Sequence, residues 1–406
     1  MPGSGECGET QLTSGLFSSF VLEWSYHLSQ RCSVVQQRFR ALGLTSFFGD
    51  LVYLCIVPRD HFLVKLNQVI DWERFVPILL PAYEGMAEEG RPPYSPLVIL
   101  KMLLITYLYN LSERQTEEVV NFQLPVKEFV GLAVDELAPD HSTLCLFKRR
   151  LREADRWVRF QAIADEVLQQ GLTAGIQLGK IQVVDSVHSV AQVDNDADRR
   201  RQEQGQPPRD PEASLVRKGK RAVTEPDGHV ATKEIQYRGY KAHVSLNAET
   251  GLITSLVPSS GRAADNLQFS SLLAHDEATG VAADTYTGDM AYDDTDLHFR
   301  LEQAGKHSAL RLHAYRTRKK DRNTQVWHAL RATPEYEVGL KERYKIERKF
   351  GEGKLWHRLG RCRYLGLVRY GIQAYLTTVV LNLKRIVLLL TGVHFRTPAK
   401  KKCWAA

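Results

Sequence analysis

Three strand-like runs followed by a regular alternation of helix and strand, all in the middle of the chain, constrain the fold most. Residues 180–193 alternate as a strand, placing Ile181, Val183, Asp185 and Val187 on one face. Residues 240–246 and 252–257 are two more such runs, joined by Asn247-Ala248-Glu249-Thr250-Gly251, which reads as a hairpin turn. Asp265 is placed to cap a helix over 266–274. Strand character returns over 281–289, a helix over 295–304, a short strand over 307–312, and then a long basic helix. The order is strand, hairpin, helix, strand, helix, strand, helix.

That order is the arrangement of a ribonuclease-H-like domain, so the expected class is mixed α+β and α/β: a helical amino-terminal domain followed by a mixed-sheet domain. The helical part is expected over 46–165. Ser95 and Pro96 form an N-cap and first-turn pair opening a nearly all-apolar helix, and Ser112 with Gln115 forms a capping box for the next. Asp140-His141-Ser142-Thr143 offers a further cap before a helix ending in Lys148-Arg149-Arg150-Leu151-Arg152. This pattern fits a helix-turn-helix-like unit and, equally, a small bundle whose last helix has a solvated charged face. The mixed-sheet domain is expected over 175–390. Its segment 194–234, with Arg199-Arg200-Arg201 and Pro207-Pro208, reads as a charged surface loop or disordered insertion. Residues 1–45 form an extension without clear periodicity, and 391–406 a basic tail.

Charge narrows the partner. The 406 residues are 43% hydrophobic and 25% charged, with a formal net charge of +7, which is globular usage tilted towards a polyanion. Residues 341–406 hold sixteen Lys and Arg against three Glu, so the rest of the chain is slightly acidic. The six cysteines are scattered with no C-x-x-C pair, against a disulfide framework or zinc ribbon, and a reducing interior is expected. The first residues lack a basic stretch of the kind that opens a secretory signal. Apolar runs at 96–111 and 364–390 are interrupted by Lys101 and by Arg369, Lys384 and Arg385, so no membrane span and a cytoplasmic location are expected. No phosphate-binding lysine loop, dinucleotide glycine fingerprint or nucleophile elbow occurs.

Three carboxylates stand out. Asp185 ends the apolar run Val183-Val184-Asp185, where it is either a turn residue or a metal ligand at a sheet edge. Asp289 closes the later strand in the same way, with Asp284, Asp293 and Asp294 as nearby competitors that spacing alone does not eliminate. Glu347 sits among cations; at about 100° per residue, Arg343, Glu347 and Lys354 fall within about 40° of one another on a helix. Gly351 and Gly353 weaken that helix before Lys354. A carboxylate among cations suits a site where Mg²⁺ meets a phosphate backbone, and a solvated helix with local ion pairs has the same composition. His188 falls on the opposite face of the strand from Asp185, which favours a structural role.

These residues, in this order, resemble the DDE transposases of bacterial insertion sequences, in the group of insertion-sequence family five and its relatives. The resemblance covers about residues 55–390. Gly90-Arg91-Pro92-Pro93-Tyr94, Leu111-Ser112-Glu113-Arg114 and Pro139-Asp140-His141-Ser142-Thr143 are similar to the helical domain of that group. Asp185-Ser186 resembles its first catalytic aspartate, Gly239-Tyr240-Lys241-Ala242-His243 the following hairpin, and Asp289-Met290-Ala291-Tyr292-Asp293 the second aspartate with its Asp-x-x-Tyr signature. Arg343, Glu347 and Lys354 match three members of the Tyr-Arg-Glu-Lys signature, with Leu340 in place of the tyrosine. The resemblance implies Asp185, Asp289 and Glu347 as catalytic, metal-binding residues holding two Mg²⁺ ions, which Mn²⁺ can replace. It also implies Arg343 and Lys354 as DNA contacts, and a homodimer acting on terminal inverted repeats and target double-stranded DNA. The basic charge extends the expected DNA-binding face to Arg348 and Lys349. A ribonuclease-H-like nuclease or resolvase, and an inactive transposase-derived DNA-binding protein, are the alternatives.

Overall fold

The computed structural model describes residues 39–40, 47–84, 92–224, 230–318 and 322–395. Of the expected extension 1–45 only 39–40 are described, and of the expected basic tail 391–406 only 391–395.

The amino-terminal region is helical: α1 (Phe47–Ile56), α2 (Phe62–Val69), a short α3 (Val76–Leu79), α4 (Pro96–Leu108), α5 (Glu113–Phe122), α6 (Leu124–Val130), α7 (His141–Asp155) and α8 (Val158–Thr173). The caps behave as their residue types dictate. The Ser95 hydroxyl accepts the Leu97 N–H at 3.3 Å, Ser112 and Gln115 cap each other reciprocally, and Asp140 accepts the Thr143 N–H at 2.8 Å. Almost every side chain of α4 is buried, because α5, α6 and α7 pack around it. The basic end of α7 is not simply a solvated face. Lys148 turns inward to pair with Glu113 at the start of α5 and to donate to the Tyr364 hydroxyl at 2.7 Å.

Beyond lie β1 (Ile181–Val190), α9 (Asn195–Glu203), β2 (Ser214–Thr224), β3 (Val230–Asn247), β4 (Ile253–Ser260), α10 (Asp265–Ala278), β5 (Thr285–Gly288), α11 (Thr295–Gln303) and β6 (His307–Leu310). Helices α12 (Arg322–Arg331), α13 (Pro334–Glu342), α14 (Tyr344–Trp356) and α15 (Leu367–Thr391) are the last elements among the described residues. One sheet runs β4-β3-β1-β5-β6, with β3 antiparallel to both β1 and β4, and with β5 and β6 parallel to β1. This is the expected ribonuclease-H-like arrangement. The hairpin between β3 and β4 turns where Asn247 accepts the Thr250 N–H at 3.1 Å and Gly251 takes φ +70°, a backbone state only glycine adopts cheaply.

Helix α15 organises the packing. It is long and apolar enough to cross a membrane, yet it lies between α2, α4 and α8 on one side and β3 and β4 on the other. Its polar side chains serve the interior: Asn382 accepts the Ile253 N–H at 2.9 Å and donates to the Ile253 carbonyl at 2.8 Å. A single apolar core therefore runs from Leu100 and Phe160 through Leu376 and Val380 to Val183, Val187 and Val244. No break in this core falls at the expected domain boundary near residue 165. The other sheet face carries a second core of Val184, Phe269, Tyr286 and Leu297 under α10 and α11.

Three local expectations are corrected. Segment 194–234 is not an unpacked loop: it contains α9 and β2, and β2 pairs with the amino-terminal half of β3. Asp210, buried, accepts the Tyr240 hydroxyl at 2.7 Å and the Gly366 N–H at 3.1 Å, while Glu212 accepts the Leu367 N–H at 2.9 Å. Its carboxylates thus satisfy the amino-terminal end of α15, where a helix offers unpaired N–H groups and a positive dipole end, and a segment poor in apolar residues packs by that means. Asp265 does not cap α10; Ala264 holds the cap position and the Asp265 carboxylate instead meets Lys241 at 2.9 Å. The long basic helix is three helices. Glycines 351 and 353 lie inside the last of them; a Cβ at Gly353 would come within 2.8 Å of Leu359, so that glycine is a close-packing position.

Candidate active site

Asp185 and Asp289 are brought level by strand register. β1 and β5 run parallel with Ile181 opposite Thr285, Gln182 opposite Tyr286 and Val183 opposite Thr287. Continuing that register two residues sets Asp185 opposite Asp289 on the same face, just where β5 ends and the chain turns into a short 3-10 segment. Asp289 accepts the Ala291 N–H at 2.9 Å, and Asp185 accepts the Ser186 N–H at 2.7 Å, which fixes both side chains locally. Burial pushes the Asp185 carboxyl up to about 6; the Ser186 N–H and Arg343 oppose the shift, and the Asp289 and Asp265 charges add to it.

The competitors of Asp289 have other tasks. Asp284 precedes β5 at the far end, roughly 15 Å along the strand, and pairs with Lys180 at 2.8 Å. Asp293 is buried against Arg316 at 2.7 Å and His298 at 3.0 Å, and accepts the His313 N–H at 2.7 Å. Asp294 caps α11 through the Asp296 N–H at 2.9 Å. Structure separates four aspartates that the sequence left level.

Glu347 stands on α14, which packs against β1 through Ile346 and Phe350 and so lies on the face of the sheet that carries Asp185. Its carboxylate is exposed and 3.9 Å from Arg343, as the shared stripe requires. The three carboxylates do not close into a finished ion site: among the described residues no three His, Cys, Asp or Glu side chains group closely enough to hold a metal. The donor set still suits a hard cation. It is all oxygen, Asp185 is pushed up chiefly by burial and further by the Asp289 charge beside it, and the Tyr292 hydroxyl is buried without a hydrogen-bond partner while feeling the charges of Asp265, Asp185 and Asp289.

The expected DNA-binding residues do not share one face. Arg343 flanks Glu347, and α14 continues through Lys354. Arg348 and Lys349 instead line a cleft on another side of α14, where Lys349 pairs with Glu352 at 3.3 Å. Helical rotation accounts for this, since Arg348 and Lys349 stand about 100° and 200° from Glu347. Sequence reasoning passed over Asp265, which meets His243 Nδ1 at 3.4 Å as well as Lys241. The signal present was the spacing of Lys241 and His243, two apart and therefore on one face of β3. His188 shares that side of the sheet, its ring 5.9 Å from that of Tyr237.

Fold and acidic site together define a ribonuclease-H-like domain with paired aspartates at a strand end. Two family models match this chain: a Transposase domain (DUF772) over residues 51–150 and a Transposase DDE domain over residues 188–383. The chain belongs to the DDE transposases of insertion sequences, with an amino-terminal domain of their kind. The DDE match takes in Asp289 and Glu347 and begins three residues after Asp185. Among solved structures, the chain is similar to a piggyBac transposase synaptic complex with hairpin DNA, at 11% identity over 84% of this chain and 77% of that one, with a TM-score of 0.44. It is also similar to a Mos1 transposase paired-end complex with the left transposon end, at 10% identity over 66% and 80% of the two chains, with a TM-score of 0.19.

Proposed function

We propose that this transposase cleaves DNA at the ends of its insertion sequence and joins the freed 3′-hydroxyl to target DNA by two-metal-ion transesterification. The observation that supports this most directly is the β1–β5 register, which sets Asp185 level with Asp289 while α14 presents Glu347 on the same side of the sheet. Asp185, Asp289 and Glu347 would hold the ions; Mg²⁺, or Mn²⁺ in its place, would supply charge neutralisation at the phosphate and an oxygen nucleophile at neutral pH. The chain's own residues do the rest. The sheet fixes the two aspartates, α14 carries Glu347 on their side of the sheet, and Arg343 and Lys354 would grip phosphate oxygens beside the scissile bond. A homodimer on paired inverted repeats is the assembly that fits such an enzyme.

Asp289→Asn and Asp284→Asn, compared in one Mg²⁺-dependent nicking and strand-joining assay on an inverted-repeat duplex, test the reading. The Asp289 variant should lose both steps and the Asp284 variant keep them. The reverse result overturns the site, and cleavage without any joined product makes the protein a nuclease.

A further inference from the structure

Helix α14 has two working sides, and the second is a basic cleft unconnected with the carboxylates. This cleft, about 630 Å³, is walled by Lys345, Arg348 and Lys349 from α14 and by Lys384 and Arg385 from α15. Its acids are too few to balance it. Lys345 pairs with Glu342, Glu352 is shared between Lys349 and Lys384, and Glu249 stands in the β3–β4 turn. Arg385 spends its Nε donor on the neutral Thr250 carbonyl, which leaves its charge uncompensated. Arg348 is exposed, with no partner among the described residues. Trp356, 48% exposed, and Phe395 add aromatic surface to the wall.

Resting on the transposase reading, we propose that this cleft binds the phosphodiester backbone of a second DNA segment, separate from the one presented to Asp185, Asp289 and Glu347. Charge complementarity selects the occupant: a cleft with five cations on two helices, of which Arg348 and Arg385 have no carboxylate partner among the described residues, suits a repeating phosphate rather than an apolar or basic partner. The chain's own continuation past Phe395 contains Arg396 and Lys400-Lys401-Lys402, like charges that oppose its lying there. With catalytic residues on one side and this cleft on another, α14 would stand between two DNA segments, as an enzyme that joins an element end to a target requires.

The test is fluorescence anisotropy with a labelled duplex of arbitrary sequence over a salt series, on full-length protein. Arg348→Glu should weaken binding several-fold and lower the salt slope by about one, whereas Arg300→Glu, a charge reversal at an exposed position of α11, should do neither. Glu249→Gln, in the turn, should strengthen binding several-fold, a gain that damage to the fold does not produce. If Arg348→Glu and Glu249→Gln both bind like Arg300→Glu while wild-type protein binds the duplex, the second segment is refuted and the transposase reading stands. If wild-type protein does not bind duplex at all, both fall.

Discussion

Replacing Lys148 with Met tests whether the helical region is locked to the sheet region by charge. Lys148 on α7 pairs with Glu113 on α5 and donates to Tyr364 at 2.7 Å, in the stretch that leads into α15, and its ammonium lies 4.7 Å from the Tyr364 ring centre. Burial alone would raise the Glu113 carboxyl, but the Lys148 charge and the hydrogen bonds from Lys148 and Tyr364 override it and hold the group at about 2. Against an ordinary value of 4.5, that difference corresponds to about 3 kcal/mol at neutral pH. Partial exposure of both side chains trims this to about 2 kcal/mol. Because the folded value is depressed, the contribution is fully present above the ordinary value and is lost as pH falls from about 4.5 towards 2. In urea denaturation at pH 7, Lys148→Met should therefore cost about 2 kcal/mol. Glu113→Gln combined with Lys148→Met should cost less than the two single changes added together. Additive single and double effects, or an unchanged midpoint for Lys148→Met, would refute the coupling.

His357 is buried, and burial, helped by Lys384, lowers it to about 4. The folded state then binds fewer protons than the unfolded one, so acidification from neutral to pH 5 should cost up to about 2 kcal/mol; a denaturation midpoint that is flat over this range, or a His357→Asn variant with undiminished pH dependence, argues against it. Gly239→Ala would put a Cβ 2.2 Å from the Ser189 carbonyl oxygen, a backbone atom that cannot step aside, and should cost upwards of about 2 kcal/mol in thermal denaturation. Asp210→Ala removes the buried acceptor of both the Tyr240 hydroxyl and the Gly366 N–H and should cost about 2 kcal/mol; a wild-type melting temperature would mean that segment 194–234 is not tied to α15.

Much of this architecture was legible in residue order. Alternating apolar positions fixed β1 and its faces, Ser95, Ser112 and Asp140 announced their helices, and the strand and helix sequence implied the sheet. Asp185, Asp289 and Glu347 were nameable, but the choice of Asp289 over Asp284, Asp293 and Asp294 rested on resemblance, because a register between strands about a hundred residues apart has no local signature. Segment 194–234 misled for a different reason. Its order comes from strand pairing and from Asp210 and Glu212 reaching distant N–H groups, and composition reports neither. Lys148 was hidden likewise, since a run of cations does not disclose that one of them turns inward to meet Glu113.

The position of α15 bears on how such an enzyme can be altered. Because that helix is roofed by α2, α4 and α8 and floored by β3 and β4, a chain severed between α8 and β1 leaves two raw apolar walls rather than two proteins. Exchanging the amino-terminal region between relatives would have to carry the matching wall of α15 with it. Substitution at the solvent-facing positions of α5 and α7 leaves that joint intact, and is the more practicable way to alter this region.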